Sequence, residues 1–200
     1  MSARPSTSVA AASVLGLAAA FAVTASISAT PPDCGKPWVF FDLGNTVVAS
    51  APGRESRYVP GAHAYVQELR RRGYPVGLLT NIPEKWGRTR AEKIRALKRL
   101  MRETWTTDPA AEAMDWSDFP EAVIVIPPSD AERKPAPYLF EAALTFAARD
   151  AGRDGCPVIF QGEDPAEIAA AEKAGLTTYL VGKDPAAPFM PIDRIARRNP

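Results

Sequence analysis

The sequence is short of the residues from which metal knuckles and nucleic-acid clamps are built. It has one His, His63, and two Cys, Cys34 and Cys156, far apart in a chain of 200 residues. A single imidazole cannot form a multi-histidine centre, and the absence of a Cys pair at knuckle spacing argues against structural zinc. Charge of one dominant sign is also lacking. Lys and Arg number 24 against 23 Asp and Glu, a net charge of +1. A nucleic-acid-binding domain ordinarily shows a basic excess, so no nucleic-acid partner is expected. Internal repeats and low-complexity tracts are missing too. The 20 Pro are scattered among periodic segments, and 46% apolar residues suffice for one globular core.

Charge is scarcest at the start. Arg4 is the only charged residue before Asp33, and Val9 to Ala29 is almost wholly Ala, Val, Leu, Ile, Phe and small hydroxyl residues. That pattern predicts a secretory signal, with Val23-Thr24-Ala25 or Ile27-Ser28-Ala29 as the cleavage site. The stretch also approaches the ~20 residues that cross a bilayer, so a membrane anchor through residues 9–29 is the alternative. The expected organisation is a signal peptide at 1–29, one domain at 30–184 and a C-terminal tail at 185–200. The mature protein would be periplasmic or secreted, without stable membrane insertion after cleavage. Losing residues 1–29 removes Arg4 and leaves the charges balanced at 23 of each sign.

From Trp38 onward, short apolar runs alternate with amphipathic stretches. Strands are expected at Trp38–Phe41, Val76–Leu79, Ala122–Ile126, Val158–Phe160 and Thr178–Val181. Helices are expected at Ala62–Arg72, Arg88–Trp105, Ala136–Ala148 and Ala166–Ala174. In the second helix Ala91, Ile94, Leu97, Met101 and Trp105 recur at three- and four-residue spacing, one helical face. Gly73, Gly152 and Gly175 stand where left-handed stops would turn the chain toward the next strand. Strands separated by helices imply an α/β fold, a doubly wound and mostly parallel sheet covered on both faces. The proline-punctuated tail reads as a surface segment, with a short helix at Asp193–Arg197.

In such sheets function gathers beyond the carboxyl ends of the strands. Those positions hold Asp42 after the first strand, Thr80-Asn81 after the second and Glu163-Asp164 after the fourth, with Lys134 in the loop after the third. Oxygens of this kind suit Mg²⁺, a lysine and a hydroxyl suit phosphate, and one carboxylate remains as a nucleophile. Each residue also has an ordinary structural use. Asp42 could cap a turn, Thr80-Asn81 could close one, Lys134 could be solvated, and Glu163-Asp164 could complement the helix beginning near Pro165.

Together these residues resemble the haloacid dehalogenase-like (HAD) superfamily. The first motif is matched by Phe40-Phe41-Asp42-Leu43-Gly44-Asn45-Thr46-Val47 and the second by Gly77-Leu78-Leu79-Thr80-Asn81. The third is matched by Arg133-Lys134-Pro135-Ala136-Pro137 and the fourth by Phe160-Gln161-Gly162-Glu163-Asp164-Pro165-Ala166-Glu167. The resemblance runs from about Trp38 to Gly182 and implies a HAD-like Rossmannoid core. It implies a Mg²⁺-dependent phosphohydrolase acting on a phosphorylated substrate, small or polymeric. Asp42 would become the aspartyl phosphate, Thr80 would bond a phosphoryl oxygen, and Lys134 would neutralise charge. Substrate contacts are expected from Thr80, Asn81, Lys134, Arg54 and Arg57, and metal contacts from Asp42, Gly44, Glu163 and Asp164. Glu167 would orient Lys134 or a bound water.

Two departures bear on activity. Gly44 stands where the family's second Asp serves as general acid, help typically worth ~10²–10⁴-fold. That keeps a non-catalytic binding or scaffolding protein as the alternative. Glu163 replaces the fourth-motif Asp with a side chain one methylene longer. The linkers between motifs leave no room for a cap domain, so the site is expected to lie open, or to be covered by another subunit in a homo-oligomer or by the Val48–Val59 loop. The resemblance also makes the first and fourth strands neighbours. Cys34 and Cys156 precede their strand ends by nearly equal counts, which predicts a Cys34–Cys156 disulfide at the opposite edge and fits an oxidising compartment.

Overall fold

The computed structural model describes residues 34–49, 55–150 and 156–197. The expected signal peptide, Gly152 and Arg54 lie outside these residues. Within them five parallel strands form one sheet: β1 (Trp38–Phe41), β4 (Val76–Leu79), β5 (Ile124–Val125), β6 (Val158–Gly162) and β7 (Thr177–Leu180), in the order β5-β4-β1-β6-β7. Two short strands, β2 (Val48–Ala49) and β3 (Arg57–Tyr58), pair antiparallel beyond the carboxyl end of β1. The ends of the Val48–Val59 stretch, read as a loop from sequence, are therefore paired strands.

The apolar runs sit centrally because buried parallel strands need both faces covered. Trp38–Phe41 and Val76–Leu79 are buried at every position. Alternate residues of β1 face opposite sides: Val39 and Phe41 join one core, Trp38 and Phe40 the other. The first core is closed by α1 (Ala62–Arg71) and α2 (Arg90–Thr104), through Val66 and Leu69 of the one and Ile94, Leu97 and Met101 of the other. The second is closed by α3 (Tyr138–Arg149) and α4 (Pro165–Lys173), through Leu139, Phe140, Ala143 and Ala171.

Local chemistry sets the ends. Thr89 and Glu92 form a reciprocal capping box at the start of α2. Gly73 and Gly175 take the left-handed conformation just past α1 and α4, with φ of 76° and 99°. Gly77 is required by space, since a Cβ there would come within 2.5 Å of the Phe40 ring. The third strand is shorter than expected: residues 121–123 form a 3₁₀ turn after Pro120, and only Ile124 and Val125 pair with β4.

The C-terminal stretch corrects the surface reading. It carries the short helix α5 (Ile192–Ala196), but Phe189, Met190 and Ile195 are buried in the first core. The Met190 amide donates to Gln161 Oε1 at 2.9 Å, and Tyr65 donates its hydroxyl to the Met190 carbonyl at 2.6 Å. Gln161 in turn donates to the Tyr65 oxygen at 3.1 Å, so the fully buried amide is satisfied within this triad.

Cys34 and Cys156 form a disulfide with a Cα separation of 5.3 Å. Both lie just ahead of the aligned pair Trp38 and Val158, at the amino edge of the sheet. No helix among the described residues is long and apolar enough to cross a membrane.

Candidate active site

The register of the sheet brings the expected residues to one edge. Phe41 is level with Gln161 and Leu78, so Asp42, Glu163 and Thr80 all leave the sheet at its carboxyl end. The Asp42 amide still bonds the Gln161 carbonyl at 2.9 Å, and the Thr80 amide bonds the Val125 carbonyl at 3.1 Å. Both side chains are thus mounted on the last rungs of the ladder, where the backbone is rigid. Asp42 and Thr80 are each buried.

Lys134 is the centre of the cluster. Its side chain is fully buried, and Nζ donates to Asp42 Oδ1 at 2.6 Å and to Glu167 Oε2 at 2.7 Å. The ammonium also lies 5.1 Å from the centre of the Phe160 ring. Two carboxylates around one buried cation satisfy it more fully than a single pair would, because both attractions act where water screens little. Burial nevertheless holds the Glu167 carboxyl above its ordinary range, with Lys134 pulling the other way.

Asn81 fixes the backbone of this lysine. Its Oδ1 accepts from the Lys134 amide at 2.7 Å, and its Nδ2 donates to the Lys134 carbonyl at 2.9 Å. Both ends of the amide side chain meet Lys134, and Nδ2 also donates to Glu167 Oε1 at 3.4 Å, which braces the loop that delivers the ammonium. Asn81, expected among the substrate contacts, is bonded in the structure to Lys134 and Glu167.

Glu163 is half-buried and meets the Thr46 hydroxyl, which donates to Oε2 at 2.9 Å. Burial, and then the negative charge of Asp42, raise its carboxyl above the ordinary value. Two carboxyl groups pressed together in this way favour a cation between them. Thr46 is fully buried and sits in the tight turn where Val47 and Val48 both donate to the Leu43 carbonyl. Sequence reasoning quoted Thr46 without giving it a role. Its position in the first motif was the available signal.

Gly44 begins the same turn without a positive φ. A Cβ there would be 3.9 Å from Asp42 Oδ2, an ordinary contact, so the position is open to a side chain it does not have. Asp164 is exposed and caps α4, accepting from the Ala166 amide at 2.7 Å. Arg57 is exposed on β3, and among the described contacts none joins it to Asp42 or Lys134.

A second cluster gathers His63, Asp115 and Asp118. His63 is in the first turn of α1 and stacks on Tyr58 at 4.6 Å. Gln67 donates to both Asp118 oxygens at 2.9 Å, and Arg70 approaches the same carboxylate at 3.2 Å. Hydrogen-bond donors already fill that space. A groove of about 620 Å³ between β5 and α3 is lined by Ile124, Tyr138 and Phe146 and touches none of the motif residues.

No family model matches the chain, and no curated protein does. Solved structures do resemble it. An uncharacterized protein from Listeria monocytogenes serotype 4b is 15% identical, with a TM-score of 0.50 over 77% of this chain and 82% of its own, which marks a shared fold. The D,D-heptose 1.7-bisphosphate phosphatase from B. bronchiseptica, complexed with magnesium and phosphate, is 19% identical with a TM-score of 0.47, covering 72% of this chain and 80% of that one. A HAD family enzyme from Bacteroides thetaiotaomicron, in complex with magnesium and inorganic phosphate, is 13% identical with a TM-score of 0.49, over 78% and 100%.

Proposed function

We propose that the protein is an exported, Mg²⁺-dependent phosphohydrolase of the haloacid dehalogenase-like type that works through Asp42. The observation that carries this reading is the buried Lys134 ammonium held at 2.6 Å from Asp42 Oδ1. A cation in that place opposes charge on a transferring phosphoryl group. Asp42 Oδ2 would attack phosphorus, and Thr80, at the end of the neighbouring strand, would donate to a phosphoryl oxygen. Asn81 and Glu167 hold the lysine from its backbone and its head, so little reorganisation is needed when charge develops.

The donor set at this edge is all oxygen, which suits Mg²⁺. Asp42, the Gly44 carbonyl and Glu163 would hold the ion, Asp164 would add negative charge nearby, and the mutual repulsion of Asp42 and Glu163 would be relieved. When bound, Mg²⁺ orients the phosphate and shares its negative charge. The phosphoryl group passes from the substrate oxygen to Asp42, and water then breaks the acyl phosphate. The turn that carries Gly44 supplies no acid for the leaving group, so substrates whose leaving group departs without a proton are favoured. Among the described residues no enclosing domain lies between the motifs, so phosphorylated substrates of either small or polymeric kind would be admissible.

The compartment reading rests on two features. The apolar stretch at residues 9–29 would direct export, and the Cys34–Cys156 bond belongs to an oxidising environment. Gly44 favours one second reading, a phosphate-binding protein that does not turn over.

Hydrolysis of an aryl phosphate separates the two. With Mg²⁺ the wild-type protein is expected to release the phenol, EDTA to stop it, and Asp42→Asn to remove it. Because the space at position 44 is open, Gly44→Asp is expected to raise the rate on an alkyl phosphate by up to ~10²–10⁴-fold. No turnover on aryl phosphates, together with a melting-temperature rise on adding beryllofluoride and Mg²⁺, would establish the binding protein instead.

A further inference from the structure

Helix α2 carries far more positive charge than the neutral chain around it. Between Arg90 and Thr104 it has six Lys or Arg and two Glu, in a chain whose net charge is +1. Arg95, Arg99 and Arg102, spaced four and three apart, are all exposed on the side opposite Ile94, Leu97 and Met101. Several cations elsewhere face acids: Arg70 meets Asp118, Arg71 and Arg72 meet Glu68, and Arg133 meets Asp130; on α2 itself Lys98 meets Glu121 at 3.5 Å. Among the described residues Arg99 and Arg102 meet none, and Glu92, the acid nearest Arg95, is occupied by the amides of Arg88 and Thr89. This row lines a groove of about 560 Å³ together with Lys98 and, at its head, Trp86. Lys98 also lies 5.4 Å from the centre of the Trp116 ring.

We propose that this face of α2 docks the protein on an anionic phospholipid bilayer, with headgroup phosphates along the arginine row and Trp86 at the interface. A straight, exposed line of cations suits a plane of charge. Trp is the side chain that favours the boundary between headgroups and acyl chains. Segregating cations on one helix of a nearly neutral protein also orients it toward a negative surface before contact. The bilayer is the polyanion that an exported chain would meet. On the export proposed above, the apolar stretch at residues 9–29 would take it there or keep it there, and the Cys34–Cys156 bond fits a compartment where nucleic acid is not the standing partner. The proposal concerns binding alone and stands independently of the reaction at Asp42.

The test is partition of the full chain onto phosphatidylcholine vesicles with and without phosphatidylglycerol. The apolar N-terminal stretch contributes to both, so the difference reports the cationic face. At low salt the anionic vesicles should bind tighter by about 100-fold, each of three cations supplying about fivefold. The preference should shrink as salt shortens the screening length. Arg95→Glu/Arg99→Glu/Arg102→Glu should abolish it, and the corresponding Gln triple should weaken it. Arg149→Glu/Lys173→Glu/Arg194→Glu changes the net charge equally on other surfaces and should leave it intact. Equal partition onto both vesicle types, persistence of the preference in the α2 variant, or equal loss in the control variant would overturn the proposal. Tighter binding to a DNA duplex than to anionic vesicles would overturn it as well, by assigning the face to nucleic acid.

Discussion

Two lysines of this protein are almost entirely buried, and they are buried in different company. Lys134, 5% exposed, puts its ammonium between the carboxylates of Asp42 and Glu167. Lys93, 3% exposed, puts its ammonium on the carbonyl oxygens of Pro127 and Pro128, at 3.2 and 2.7 Å, with no acid among its bonded partners. The second arrangement ties α2 to the loop after β5 and asks nothing of charge beyond strong donors. The first concentrates three ionisable groups at a strand end, where each is costly without the others. Burial of a charge alone therefore does not mark a site in this molecule. The partners do.

Substitution should separate the two roles. Lys134→Met is expected to have the largest effect. It removes the donor opposite Asp42, the proposed nucleophile, so turnover of an aryl phosphate should fall by at least ~10²–10³-fold. It also strands two buried carboxylates, and denaturant unfolding without metal should show a loss of about 3–5 kcal/mol.

Next comes the disulfide, as a control for stability at the far edge of the sheet. Cys34→Ser/Cys156→Ser opens a loop of 122 residues, for which chain entropy gives a loss approaching ~4.7 kcal/mol. Activity per folded molecule should persist, since the bond lies at the amino edge and the carboxylates at the other. If activity vanishes with the bond, stability and catalysis are coupled across the sheet and the Lys134 result loses its meaning. Lys93→Met should have the smallest effect, about 1–3 kcal/mol from two carbonyls left without a donor, with turnover reduced less than tenfold. A Lys93 variant as inactive as the Lys134 variant would erase the distinction drawn between them.

Much of this was legible in the sequence, and the exceptions have physical reasons. Trp38–Phe41 and Val76–Leu79 were readable to the residue, because central parallel strands need unbroken apolar runs. The convergence of Asp42, Thr80, Lys134 and Glu163 followed from strand ends and motif order, and the approach of Glu167 to Lys134 from their place in the third and fourth motifs. The pairing of Val48–Ala49 with Arg57–Tyr58 was not legible, since two-residue strands leave no periodicity to read. Burial of Phe189 and Met190 was hidden among prolines, and only the long-range triad with Tyr65 and Gln161 reveals it. Asn81 had the right address and an unexpected partner: bonding a residue 53 positions away is a property of the fold, not of the local sequence. The third strand starts only at Ile124 because residues 121–123 turn as a 3₁₀ helix after Pro120, an alternative that apolar patterning alone does not distinguish from strand.

The central claim is that a phosphoryl group resides on Asp42 during turnover. It is tested most directly by acid-quenching the protein during turnover of an aryl phosphate with Mg²⁺, reducing with borohydride and mapping the peptides. An acyl phosphate on Asp42 would be converted to homoserine at that position, and this is the result the account predicts, lost in the absence of Mg²⁺. Unmodified Asp42 while phosphate is being released, or modification at another carboxylate, would contradict it.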